Sequence, residues 1–239
     1  MTANPIQLHQ FEPLWGLPNL SPFCVKLETW LRMAELPYEA HALRGPPRSK
    51  TGKLPYIERP DGTLLSDSTT IIETLSRERG VDLDAHLSEG QKAQAVLLQR
   101  TFEEHLYFLA LYERWVDDAG WKRCAPEMFR SVPAPVRAIV PPIVRRKVRR
   151  DALGQGLARL DDEQRASRAR ADVAAVANVL GDRDYFFGEP STIDAVAFGF
   201  LANLIRPPVA GPTHQAPREH DNLVAYEQRM RARYFPELT

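Results

Sequence analysis

Residues 21–39 read SPFCVKLETWLRMAELPYE, and the fold follows from how this stretch is read. Ser21 is a good N-cap, and Pro22 suits the first helical position, where its missing N–H costs nothing. Phe23, Leu27, Leu31 and Ala34 recur at helical spacing, with Val25, Trp30 and Met33 widening the stripe and Lys26, Glu28, Arg32 and Glu35 falling between them. The pattern predicts a helix with one broad buried face. Before it, Ile6 to Phe11 alternates as a strand does, and Pro13 to Leu20 is a turn-rich loop. The order strand, loop, helix sets a Ser-x-x-Cys group at a helix N-terminus. Unpaired N–H groups and the positive end of the dipole favour an anion there, a thiolate included.

Working outward, Pro37 stops the helix and residues 37–43 read as a second strand. A polar, turn-rich segment runs from Arg44 to Lys53. Tyr56 to Glu58, the turn Arg59-Pro-Asp-Gly62 and Thr63 to Leu65 make a hairpin, signalled by Asp61-Gly62 between two apolar runs. Ser66 to Ser68 is a polar helix start, with Ile71, Ile72 and Leu75 on the buried side of a helix ending near Gly80. The order βαβ, then ββα, implies a parallel pair joined by a right-handed crossover and an antiparallel pair in the same small sheet.

Beyond the polar residues 81–90 the strand signals vanish, so we expect an α/β domain over residues 1–80 and an all-helical one over 90–239. Gln91 to Asp118 carries Leu98, Phe102, Leu106, Leu109 and Val116 at helical spacing. Pro126, Pro133, Pro135, Pro141 and Pro142 are too many for one uninterrupted helix. The basic run from Ile143 to Leu153 reads as a solvated helix face, partly neutralised by Asp161 to Glu163. Asp172 to Leu180 is helical. Ser191-Thr-Ile-Asp194 resembles a capping box and opens a helix that buries Val196, Phe200, Leu201 and Leu204. A last helix spans Asn222 to Arg233.

Lys and Arg total 31, as do Asp and Glu, so no net charge draws this chain of 239 residues to nucleic acid or an anionic membrane. No signal-peptide pattern and no run near the roughly 18 apolar residues of a membrane span occurs, and a cytoplasmic protein is expected. Cys24 and Cys124 lie far apart in the sequence and form no CxxC or Cys/His ligand set, which argues against structural zinc, another bound metal or a disulfide framework.

Four motifs in this order resemble the glutathione transferase superfamily: Ser21-Pro-Phe-Cys24, Lys53-Leu-Pro55 before a strand, Asp67-Ser68-x-x-Ile71, and Gly188 through Asp194. Tyr185-Phe-Phe-Gly188, Asn222 to Tyr226 and Arg233-Tyr-Phe-Pro236 are most similar to its failed-axon-connections and metaxin branch, here as a soluble bacterial-type member. The resemblance implies a thioredoxin-like N-terminal domain, an all-α C-terminal domain, glutathione as co-substrate, no metal and a homodimer.

It also implies residue roles. Ser21 donates to the glutathione thiolate, and Leu54, beside a cis Pro55, pairs with the cysteinyl part. Asp67 and Ser68 hold the γ-glutamyl end, and Lys53, with Lys50 and Arg48, meets the glycyl carboxylate. Trp15, Leu17, Tyr112 and Trp115 line a pocket for a small electrophile. Three other readings stay open: Ser21 as a helix cap only, thiol exchange through Cys24, and a non-catalytic shell that binds a protein partner.

Overall fold

The computed structural model describes residues 4–43 and 45–238; Arg44, at the head of the turn-rich segment, lies outside them. β1 (Ile6–Gln10) runs parallel to β2 (Tyr38–Ala42), with Ile6 opposite Tyr38 and Gln10 opposite Ala42. β3 (Tyr56–Glu58) lies antiparallel on the other side of β1, and β4 (Leu64–Ser66) closes the hairpin. The sheet order is β2-β1-β3-β4, the mixed arrangement implied by βαβ followed by ββ. β4 starts one residue later than the sequence suggests. Asp61 explains this, because its carboxylate accepts from the Thr63 N–H and hydroxyl and keeps Thr63 in the turn.

α1 (Pro22–Met33) departs from the expected amphipathic pattern, being buried on every side from Cys24 to Leu31. The sheet and α2 (Ser68–Arg79) cover one face, through Leu8, Leu27, Trp30, Ile57 and Ile71. α9 (Thr192–Ile205) covers another, through Val25, Val196, Ala197 and Leu201. The crossing is close at Gly199, where a β-carbon would stand 2.7 Å from the Pro22 carbonyl oxygen and 2.9 Å from the Lys26 nitrogen. A helix enclosed in this way has no wet face, so Lys26 and Glu28 are buried and must be paired. Lys26 donates to Glu103 (2.6 Å) and to the Thr69 hydroxyl (2.7 Å). Glu28 accepts from Gln10 (2.8 Å) and from the Tyr38 hydroxyl (2.8 Å).

The rest of the chain is helical. α3 (Glu89–Arg100), a π-helical stretch (Thr101–Leu106), α4 (Tyr107–Leu111) and a second π-helical stretch (Tyr112–Val116) follow one another as one rod. Leu98, Phe102, Leu106 and Leu109 face its core side, and Val116 is half-buried. The prolines break the next region into α5 (Asp118–Met128), α6 (Ala134–Arg137) and α7 (Val140–Gln155), with Pro133 just before α6 and Pro141 and Pro142 in the first turn of α7.

The acids at 161–163 do not neutralise α7. Asp161 caps α8 (Asp162–Leu180) through the Gln164 N–H, while Asp162 and Glu163 pair with Arg165 and Arg170 of α8 itself. Arg145 of α7 instead meets Asp118 at 2.6 Å and the carbonyls of Trp115 and Val116. α10 (Pro212–Gln215) and α11 (Asp221–Tyr234) complete the packing, with Tyr226 and Met230 in the main core. Among the described residues no helix is long and apolar enough to cross a membrane.

Candidate functional site

Ser21 stands at the N-cap of α1 in extended conformation (φ −100°, ψ 123°), and its side chain makes no capping hydrogen bond. The cap-only reading of Ser21 therefore does not describe it. The Ser21 N–H donates to the Asn19 side-chain oxygen (3.0 Å), and the Asn19 amide donates to the Phe11 carbonyl (2.6 Å), so one buried asparagine folds the 11–20 loop and sets where α1 begins. No acidic residue occupies the first turn of α1, which leaves its positive end without an internal anion.

Cys24, one turn in, is fully buried and free. Burial pushes its thiol up to about 12, although contacts with the Ser21 side chain and the Phe11 backbone favour the thiolate. It stays protonated at neutral pH, and a neutral thiol is a weak hydrogen-bond partner for the Ser21 hydroxyl. The same thiol packs against Leu54 and Tyr56, which brings the 53–55 loop against the first turn of α1.

The Leu54–Pro55 peptide bond is cis. The loop before it is tied by Ser49, whose hydroxyl donates to the Lys53 carbonyl (2.7 Å) and accepts from the Lys53 N–H (3.2 Å). Among the described residues neither the N–H nor the carbonyl of Leu54 has a partner within the chain. An extended ligand can pair with both, as an added strand would. The Lys53 and Lys50 side chains are exposed, whereas Arg48 is drawn to Glu58 at 3.2 Å.

α2 begins beside this loop. Its N-cap is Asp67 and not Ser68: the Asp67 carboxylate accepts from the Thr70 N–H (2.9 Å) and hydroxyl (3.0 Å), and Ser68 is the buried first helical residue. Asp67 has φ +78°, a backbone region unfavourable for a side-chain-bearing residue. The bond from Lys26 to Thr69 fastens the second turn of α1 to the start of α2. Ser21, the Leu54 backbone and the α2 N-terminus thus gather around α1, and the last of these suits a carboxylate.

The four residues expected to line a pocket do not form one group. Leu17 is 1% exposed and belongs to the main core, a correction to its expected place in a pocket wall. Its neighbour Trp15 points outward, donating to Glu127 (2.9 Å) with the Arg114 guanidinium 5.5 Å from its ring centre. The Tyr112 ring is covered by Arg165 at 3.7 Å, and Trp115 packs with Trp121 and Phe129. An open cleft of about 550 Å³ beside that cluster is lined by Trp121, Phe129, Pro141, Pro142, Arg146 and Arg149, and not by Ser21 or Leu54. The cleft is remote from the groups able to bind a thiolate and a carboxylate, because the Ser21 hydroxyl, the unpaired Leu54 backbone and the α2 N-terminus lie around α1.

Sequence reading missed Asn19, Arg114 and the pair of Lys26 with Glu103. Only Asn19 had a local signal, as a side chain able to turn the backbone two residues before a helix start. Arg114 and Glu103 come from a helix about 80 residues further on.

Family models and known proteins match this chain over most of its length. Residues 22–120 match the family described as glutathione S-transferase N-terminal domain, and residues 169–230 match glutathione S-transferase, C-terminal domain. The isoprene-epoxide–glutathione S-transferase of Rhodococcus sp. (strain AD45) is 34% identical over 96% of this chain and 99% of its own length. Failed axon connections of Drosophila melanogaster is 31% identical over 97% of this chain and 58% of its own length. Metaxin-1 of Macaca fascicularis is 27% identical over 98% and 76%. Among solved structures, a glutathione S-transferase of Methylobacterium radiotolerans in complex with glutathione sulfonate superposes with a TM-score of 0.61 at 19% identity, covering 98% of this chain and 94% of that one.

Proposed function

The chain belongs to the glutathione S-transferase family, and on that premise we propose that it is a glutathione transferase joining the glutathione sulfur to a small, apolar electrophile. The observation that carries the reading is the Ser21 hydroxyl, which opens α1 without capping it and faces a helix end that holds no acid of its own. The similarity to a transferase over 99% of that protein's length supports it.

In this reading residues 1–80 bind glutathione and residues 90–239 complete the site. The cysteinyl part pairs with the Leu54 N–H and carbonyl, the γ-glutamyl carboxylate lies over the α2 N-terminus by Asp67 and Ser68, and Lys53 meets the glycyl carboxylate. The thiol proton leaves to solvent. Ser21 then donates to the sulfur anion in place of its weak contact with Cys24, and the α1 dipole adds to it, each contributing on the order of 0.5–3 kcal/mol. The thiolate electron pair forms the carbon–sulfur bond while the electrophile's bond to its leaving group, or to its ring oxygen, breaks; the pair of that broken bond goes with the leaving group, or stays on the ring oxygen, which takes a proton from solvent. Trp15, on the loop that leads to Ser21, is the pocket aromatic we retain for contact with the electrophile.

Thiol exchange through Cys24 is not supported, because a fully buried thiol raised to about 12 supplies almost no thiolate at neutral pH. A second reading, a non-catalytic shell that binds a protein, is favoured by the similarity to Failed axon connections and metaxin-1. Calorimetric titration with glutathione separates the two. Binding heat, and conjugation of a small epoxide or a generic aromatic halide, support the transferase; no heat and no thermal shift at millimolar ligand support the shell.

A further inference from the structure

Arg114 is 6% exposed, and no carboxylate among the described residues pairs with it. One guanidinium nitrogen donates to the Leu20 carbonyl (3.0 Å), the other to the Asn203 carbonyl (2.9 Å), and the Nε–H is buried without a partner. The Asn203 carbonyl is free because the residue four positions on is Pro207, which has no N–H to offer it. The neighbouring acid does not compensate either, since the Glu113 carboxylate is taken by the Thr213 and His214 N–H groups and the His214 ring.

The titratable groups that face Arg114 are Tyr107 of α4, Cys124 of α5 and His214 of α10. Glu127 accepts from the indole N–H of Trp15, the ring that Arg114 overlies. Around Ser21 itself stand the neutral Cys24 thiol and, deeper, Glu28. Burial disfavours the charge of both Arg114 and His214, yet a guanidinium remains protonated in proteins, while His214 is held neutral. The negative C-terminal end of α9 offsets part of the Arg114 charge, and the remainder is felt one peptide unit from Ser21.

We propose that Arg114 is a positioning residue for the thiolate: its buried guanidinium fixes the Leu20 peptide in front of Ser21 and supplies the positive field that lowers the thiol pKa of bound glutathione. At the effective dielectric of a protein site a unit charge within about 10 Å of a thiol shifts its pKa by about one unit, a tenfold change in thiolate near neutrality. The inference rests on the glutathione reading above.

The test is an ultraviolet thiolate titration of glutathione bound to the wild-type chain, Arg114→Gln and Arg114→Lys, with kcat/KM followed across pH. The Gln variant keeps an amide donor for one carbonyl and loses the charge. We expect its bound thiol to titrate about one unit higher and its kcat/KM to fall about tenfold near pH 6.5, with recovery at high pH and little change in KM for glutathione. The Lys variant retains the charge and stays close to wild type. A merely structural role lowers activity equally at every pH. A folded Gln variant that titrates like wild type overturns the role of Arg114 alone. Should the Gln variant not fold, a folded Lys variant titrating a full unit above wild type overturns it. A wild-type chain that binds no glutathione overturns the transferase reading, and this inference with it.

Discussion

Two serines open the two helices that cross at Gly199, and they are used in opposite ways. At α9 the box is closed: the Asp194 carboxylate reaches back to the Ser191 N–H (2.9 Å) and hydroxyl (3.0 Å), and also accepts from the Phe186 N–H and the Tyr226 hydroxyl (both 3.1 Å). All of these groups are buried. At α1 the same third helical position holds Cys24, a neutral thiol, so no internal anion fills the positive end of the helix and the Ser21 hydroxyl stays available. A carboxylate three residues after the cap makes a helix start structural, whereas an uncharged residue there leaves room for an incoming anion.

The comparison breaks most visibly at Asp194. Asp194→Ala strands three buried donors, the Ser191 N–H and hydroxyl and the Phe186 N–H, while the Tyr226 hydroxyl keeps the residue 194 carbonyl, and we expect a loss of about 3–5 kcal/mol in urea unfolding, with the region around Phe186 loosened. The next largest effect is at the crossing, where Gly199→Ala presses a β-carbon against backbone of α1 and costs about 2–3 kcal/mol in the same assay, with a shift of Ser21 that lowers glutathione affinity. The serines then separate the two roles. Ser191→Ala costs about 1–2 kcal/mol of stability, measured by urea unfolding. Ser21→Ala changes stability by less than about 0.5 kcal/mol, yet lowers kcat/KM for conjugation by about a hundredfold. Cys24 gives the smallest effect: with its thiol raised to about 12, the native chain should resist alkylation there up to pH 9, and mass spectrometry should find the adduct only after denaturation.

Most of the backbone plan was legible in local sequence, because turns, caps and apolar spacing act over a few residues. Asp61-Gly62 gave the hairpin, Ser191 to Asp194 gave the start of α9, and the prolines between 126 and 142 gave the broken helices. What escaped was set by packing between distant elements. Lys26 and Glu28 looked like a solvated face, and only the enclosure of α1 between the sheet and α9 makes them buried ion-pair and hydrogen-bond partners. Leu17 and Trp15 are two residues apart and apolar alike, and a positive φ at Trp15 (56°) helps send one inward and the other outward. Arg114 carried no signal at all, since its partners are two carbonyls from segments roughly 90 residues away on either side.

The most direct test is a crystal of the chain soaked in glutathione. We expect the sulfur within hydrogen-bonding distance of the Ser21 hydroxyl, with the cysteinyl N–H and carbonyl paired to Leu54. A tripeptide bound with its sulfur away from Ser21, or lodged instead in the cleft beside Trp121 and Phe129, would contradict it.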